Sequence, residues 1–194
     1  MKKLLITGFD PFGGATINPA WEAVKLLPDQ IGDCSLTKLQ IPTVFGAGAQ
    51  AVLNTAKLLQ PDLILCIGQA GGRSAVTPER IAVNIRDARI SDNEGNQPRG
   101  DYVAPNGPAA YFATVDVIAM VQAASSRDIP ATVSNSAGAF VCNDVFYTLL
   151  HQYDQTSTRV GFIHVPWLPE QGNPSLPLEQ TVAALEAMIK SCKF

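Results

Sequence analysis

The sequence predicts an α/β fold built on a largely parallel, twisted sheet. Short apolar runs alternate with helix-period patterns along the whole chain, which is the signature of strands connected by crossover helices. A hydrophobic fraction of 46% against 16% charged residues over 194 positions supplies enough apolar side chain to fill the core of one compact unit, so a single domain over residues 1–194 is expected. No internal repeat or low-complexity tract interrupts the alternation.

Taken in order, strands are expected at residues 3–7, 36–42, 63–68, 81–90, 131–134 and 160–165. The apolar runs "LLI", "LILCIG" and "VGFIHV" are short, bounded by glycine or polar residues, and suit strands buried on both faces. Only the fourth segment alternates plainly, which places it toward a sheet edge. Helices are expected at 19–27, 47–59, 115–126, 143–151 and 178–191. The first has Asn18 as its cap and Pro19 at the first helical position, where a missing amide hydrogen costs nothing.

Composition excludes several function classes. A formal net charge of −3 with no basic run leaves no electrostatic footprint for nucleic acid or for an anionic membrane. The opening "MKKLLITGFD" loses its apolar character at Thr7-Gly8, too soon for a secretory leader or a span, so a cytoplasmic protein is expected. Cys34, Cys66, Cys142 and Cys192 are scattered with no C-x-x-C pair, and in a reducing compartment each reads as a free thiol. Two histidines and unpaired cysteines match no metal-ligand spacing.

In an open α/β sheet, ligands bind beyond the carboxyl ends of strands. The stretches there, 8–18, 68–79, 87–98, 135–142 and 164–171, are rich in glycine, proline and polar residues. Cys142 follows Phe140-Val141 and opens an apolar helical pattern, so its sulfur is expected near a helix N-terminus, where free amides and the dipole favour a thiolate. The alternative is a small buried hydrophobe. A thiol nucleophile needs an imidazole to exchange its proton. His151 lies nine residues further on the same helix, roughly 13 Å away at ~1.5 Å per residue. His164, at the end of "VGFIH", emerges where the cysteine loop also should. A third group must orient the imidazole. Glu79 in "TPERIAVN" is a candidate, as are Asp87, Asp92, Glu94 and Asp144, and spacing does not choose among them; a glutamate paired with Arg80 is the plainer reading of Glu79. Cys66, inside "DLILCIG", reads as core. Phe9 and Phe12 in "TGFDPFGG" can wall a pocket or plug the core, while Gln69 in "GQAGG" could read a small amide through both donor and acceptor.

Together the motifs "TGFDPFGG" with Asn18-Pro19, "GQAGGR", "TPERIAVN", "DARISDNEGNQP", "GPAAYF", "SNSAGAFVCN" and "FIHVPWLPEQ" resemble pyroglutamyl-peptidase I, also called pyrrolidone-carboxylate peptidase, a cysteine peptidase family. They run in the family's order across nearly the whole chain. The resemblance implies a three-layer α/β/α sandwich of the phosphorylase/hydrolase-like type and removal of an N-terminal pyroglutamyl residue from peptides. It also implies a homotetramer and no cofactor. By motif it puts a catalytic triad on Glu79, Cys142 and His164, and so selects one carboxylate. It further assigns Phe9, Phe12, Phe140, Asn18, Gln69 and Val141 to the lactam pocket, and Arg89 to a place near the nucleophile as an oxyanion or supporting group. The segment "HQYDQTSTRVGFIH" before His164 looks trimmed against the family. Two other readings use the same residues: nucleoside chemistry with phosphate held by the Gly-rich loops, and a binder or redox sensor with a reactive thiol.

Overall fold

The computed structural model describes residues 1–193. In chain order it contains β1 (Lys2–Phe9), α1 (Pro19–Leu26), β2 (Gln30–Ile31), β3 (Cys34–Ile41), α2 (Ala47–Leu59), β4 (Leu63–Gln69), β5 (Thr77–Pro78), β6 (Ile81–Val83), β7 (Arg86–Asp87), β8 (Arg99–Asp101), β9 (Ala110–Phe112), α3 (Val117–Ser125), α4 (Val141–Gln152), β10 (Arg159–Val165) and α5 (Leu178–Ser191). The main sheet has six strands in the order β2-β3-β1-β4-β10-β5. Its four inner strands are parallel, and β2 and β5 run antiparallel at the two edges.

Side-chain alternation sorts the inner strands into two buried faces. Leu4 and Ile6 of β1, Leu63, Leu65 and Ile67 of β4, and Ile163 and Val165 of β10 pack with α1, α3 and α5. Leu5 and Phe9, Ile64 and Cys66, and Val160 and Phe162 pack instead with α2 and α4. Helices therefore cover both faces, giving the three layers the resemblance implies. Among the described residues, no helix is long and apolar enough to cross a membrane.

Two expected strands are corrected. Residues 81–90 do not form one strand. Only β6 and β7 appear, in separate two-stranded ribbons with β9 and β8. The backbone there is diverted by side chains: Asn84 Nδ2 donates to the Ala104 and Gly107 carbonyls, and Asn143 of α4 occupies the polar groups of Val83 and Ile85. Residues 131–134 also stay out of the main sheet, making only isolated parallel bridges, Val76 with Ala131 and Glu79 with Ser134. The place beside β10 is taken by β5, where Thr77 pairs with His164 and Pro78 with Ile163. A two-residue edge strand containing proline has no periodicity by which to be found.

The helices follow the sequence closely. Asn18 caps α1, its Oδ1 accepting from the Ala20 amide at 3.0 Å. The fourth helix, expected at 143–151, begins two residues earlier, which places Cys142 inside its first turn. That turn is fastened by its own side chains. Asn143 is buried and takes Val83 as a strand neighbour would, donating from Nδ2 to its carbonyl at 2.8 Å and accepting from its amide at 2.9 Å. Buried Asp144 accepts from Arg86 Nε at 2.6 Å and from the Gly46 amide at 2.8 Å.

Gly68 lets this helix start sit on the sheet, because a Cβ there would lie 3.0 Å from the Cys142 sulfur and 2.9 Å from the Phe162 ring. Gly68→Ala is expected to lower stability by about 1–3 kcal/mol, as overpacking does. Chemical denaturation of the two proteins measures this, and an unchanged midpoint would mean that the seat is not tight.

Candidate active site

The loops after β1 and β4 leave the sheet between neighbouring parallel strands whose connections run in opposite directions, the place where α/β sheets open a crevice. A cavity of about 520 Å³ lies there, with Phe12, Gln69, Arg73, Arg89, Phe140, Cys142 and His164 in its wall. His164 has the same parity as Phe162, so its ring projects to the α2/α4 face, the face that carries Cys142. Strand alternation thus delivers the imidazole and the thiol to one cavity from residues 22 positions apart in sequence.

Behind the imidazole is Glu79. His164 Nδ1 lies 2.7 Å from Glu79 Oε1, with the histidine 4% and the glutamate 0% exposed. Because an ionised carboxylate only accepts, Nδ1 carries the proton and Nε2 is left with its lone pair for the cavity. Glu79 itself is held by its backbone, its amide donating to the Phe162 carbonyl of the sheet at 2.8 Å. Arg73 Nη1 also donates to Oε1, at 2.7 Å, and Nη2 reaches the Ser136 carbonyl at 3.2 Å. Oε2 is buried without a hydrogen-bond partner. The nearby Ser134 hydroxyl favours the charged carboxylate but in this conformation donates to the Ser136 carbonyl at 3.2 Å.

These contacts set the charges. Burial pushes the Glu79 carboxyl up, but the hydrogen bonds and charges of His164, with Ser134 and Arg73, outweigh it and hold the group below its usual range. Burial lowers the His164 pKa below 6.5 despite Glu79, and the Arg73 charge adds to that lowering. For Cys142 the expected thiolate is corrected. Its sulfur sits in dense protein at the cavity wall, and burial first, then the Glu79 charge, push the thiol up to about 12. Its own amide and Arg73 act the other way but do not prevail. At rest the pair is a neutral thiol beside a neutral imidazole.

The helix start contributes donors as well. The first intrahelical bond runs from the Asp144 amide to the Phe140 carbonyl, and no side chain caps the turn. At this helix start the Cys142 amide lies against its own sulfur, an arrangement that suits an anion there.

Of the residues expected in a pocket, Phe12 and Phe140 line it as a tilted pair with ring centroids 6.2 Å apart, and Gln69 and Arg89 share the wall. Phe9, Asn18 and Val141 are not among the residues lining that cavity. Phe9 is 1% exposed, packed in the core against Phe162. Asn18 is spent on capping α1 and on the Asp10 carbonyl. Val141, 0% exposed, points into the α2/α4 core. His151 is remote, bonded to the Tyr111 hydroxyl at 2.8 Å, and Arg80 pairs with Asn135 rather than with Glu79. Of the competing carboxylates, Asp144 and Asp92 serve backbone amides. Sequence reasoning assigned no role to Arg73, because an arginine six residues before Glu79 in a Gly-rich loop has no spacing that reveals its partner. A shallower groove of about 560 Å³ adjoins the cavity across Arg73 and Ser136 but is lined by neither the thiol nor the imidazole.

Comparison with known proteins places the chain in one family. The family model described as pyroglutamyl peptidase matches residues 2–193. The chain is similar to the pyrrolidone-carboxylate peptidase of Bacillus licheniformis, 50% identical over 95% of this chain and 89% of the relative. It is likewise 50% identical to that of Levilactobacillus brevis, over 97% and 96% of the two chains. Among solved structures, pyroglutamyl peptidase I of Bacillus amyloliquefaciens superposes with a TM-score of 0.94 at 47% identity, covering 97% of this chain and 95% of that one. The pyrrolidone carboxyl peptidase of Thermococcus litoralis gives 0.94 at 37% identity, covering 98% and 93%.

A thiol with a pKa near 12 reacts through a thiolate fraction that rises about tenfold per pH unit. Alkylation of Cys142 by iodoacetamide, followed by peptide mass spectrometry, is expected to be slow at neutral pH and to climb without a plateau through about pH 10. A plateau near neutrality would reveal a stabilised thiolate and overturn the neutral pair.

Proposed function

The chain belongs to the pyroglutamyl peptidase family of cysteine-type hydrolases, whose members remove N-terminal pyroglutamate, and from that premise we propose that it does so through Cys142, His164 and Glu79. The observation that carries this is the buried 2.7 Å Nδ1–carboxylate bond, which leaves the other ring nitrogen for the cavity that holds the thiol. The reading treats the whole chain as one catalytic domain, which the extent of the family match supports.

The substrate is a five-membered lactam with no free α-amine, so recognition must use ring faces and amide-type hydrogen bonds. Phe12 and Phe140 supply apolar faces, and Gln69 supplies the polar group. With the pyroglutamyl carbonyl against Cys142, His164 Nε2 removes the thiol proton as the sulfur attacks carbon. The oxyanion is met by the amide of Cys142 at the helix start and by the Arg89 guanidinium in the same wall. Glu79 stabilises the imidazolium formed. Collapse breaks the C–N bond, His164 gives its proton to the departing amine, and a thioester remains. Water, deprotonated by His164, hydrolyses the thioester and regenerates the thiol. The thiol's proton leaves on the amine and a proton from water replaces it, so the enzyme returns to its starting protonation state, and no external reductant or oxidant is consumed.

Two finer points belong to the same reading. A thiol nucleophile beside three other free cysteines supports a reducing, cytoplasmic setting. A homo-oligomer, a tetramer by family resemblance, is supported by large apolar side chains left exposed, Tyr102 and Phe112 at 66% and 67%. Blocked peptides are then the small-molecule partners.

Release of a fluorescent amine from a pyroglutamyl amide, beside prolyl and glutamyl analogues, tests the assignment. Turnover of the pyroglutamyl compound alone is expected, and Cys142→Ser should reduce kcat by at least about 1,000-fold in folded protein. Ligand binding without turnover would favour the sensor reading instead.

The pH profile follows from the base. His164 acts only when neutral, and its pKa lies below 6.5, so kcat/KM should hold as pH falls through 6.5 and decline only on a limb below it. Glu79→Gln removes the carboxylate that raises the His164 pKa, so that limb should move to still lower pH while kcat drops by roughly 100- to 10,000-fold. A limb unmoved in the variant would show that Glu79 is not electrically coupled to the base.

A further inference from the structure

We infer that Gln171 is a specificity-positioning residue, which fixes the Gln69 side-chain amide so that its N–H groups, not its oxygen, face the lactam. The inference rests on the peptidase reading above and adds to it a residue that touches no substrate.

Donor and acceptor identities determine the orientation. The Leu168 amide, a donor only, lies 3.0 Å from one end of the Gln171 side chain, so that end is the oxygen. The nitrogen at the other end lies 3.4 Å from the Ile17 carbonyl, an acceptor only, and 3.4 Å from the Gln69 side chain. Both fixed groups demand the same orientation of Gln171. A nitrogen aimed at Gln69 must meet its oxygen, and the two N–H groups of Gln69 are then turned to the cavity. At 3.4 Å the two donated bonds are long, so the contribution of Gln171 is polarity rather than rigidity. The backbone of Gln69 is already held, pairing with Val165 at the end of β4.

This polarity matches one ligand chemistry. The pyroglutamyl ring carbonyl is an acceptor and is met by a donor. A prolyl ring has no such carbonyl and leaves the donors unpaired, and an open glutamyl chain brings an ammonium group against N–H groups. If Gln69 were turned over, its oxygen would oppose the lactam oxygen, and the same cavity would lose its preference without changing shape.

Gln171→Glu isolates the effect. Glutamate still accepts from Leu168, but its second oxygen can only accept, so Gln69 must turn its N–H groups toward position 171 and present its oxygen to the cavity. The expected result is a fall in kcat/KM for the pyroglutamyl amide of about 10- to 100-fold, carried by KM more than by kcat, in protein that stays folded although it gives up the bond to the Ile17 carbonyl. Inhibition by pyrrolidin-2-one, the ring alone, should weaken by the same factor. Gln171→Met, which releases Gln69 without inverting it, should lose less. In a Gln69→Met background, Gln171→Glu should add no further loss. An unaltered KM in folded Gln171→Glu, or an undiminished loss in the Gln69→Met background, would overturn the inference while leaving the peptidase reading intact. A wild-type protein inert toward the pyroglutamyl amide would remove the reading and this inference together.

Discussion

A carboxylate with no solvent exposure cannot be left uncompensated, and the way Glu79 is compensated organises the rest of the molecule. One of its oxygens takes hydrogen bonds from both His164 and Arg73, at 2.7 Å each. The first bond chooses the tautomer of the imidazole and hence which nitrogen faces the thiol. The second ties the Gly-rich loop after β4 to the back of the site, since Arg73 also reaches the Ser136 carbonyl ahead of the nucleophile. Glu79 can occupy this place because the short β5 runs alongside β10 and carries the chain to it, with residues 131–134 bridging on its other side. The irregular edge of the sheet is therefore functional architecture.

The sulfur is controlled by position more than by the helix dipole. Cys142 sits in the first turn of α4, where the dipole favours an anion, yet burial and the Glu79 charge act more strongly in the opposite direction. Burial first, and then the same carboxylate that orients His164, keep the Cys142 thiol protonated. A neutral resting pair also limits adventitious oxidation, which proceeds through the thiolate.

The cavity is preformed by hydrogen bonds among three loops. Asp10 accepts from the Thr43 amide at 2.7 Å, and Asn93 donates to the Pro11 carbonyl at 2.9 Å. Asp92 takes the amides of Phe45, Glu94 and Asn96. Phe45 in turn packs edge-on against Phe140, 5.3 Å between centroids. The ring faces offered to a ligand are thus held before it arrives, which reduces the ordering cost of binding.

Sequence alone determined the helices, the central strands, and which thiol and which imidazole come to share one cavity, because these rest on local signals: apolar runs, Asn18 before Pro19, one cysteine at a helix start, one histidine at a strand end. Motif resemblance then singled out Glu79, which spacing had left level with four other carboxylates. Tertiary structure decided what has no local signal. It broke residues 81–90 into two ribbons, because Asn84 and Asn143 capture the backbone there. It set Phe9 and Val141 in the core and Asn18 at the start of α1, outside the lining of the cavity. It brought in Arg73 and Gln171, whose partners lie 6 and 102 residues away. A periodicity reports which face a residue takes, whereas the direction of a hydrogen bond between distant side chains exists only once the chain has folded.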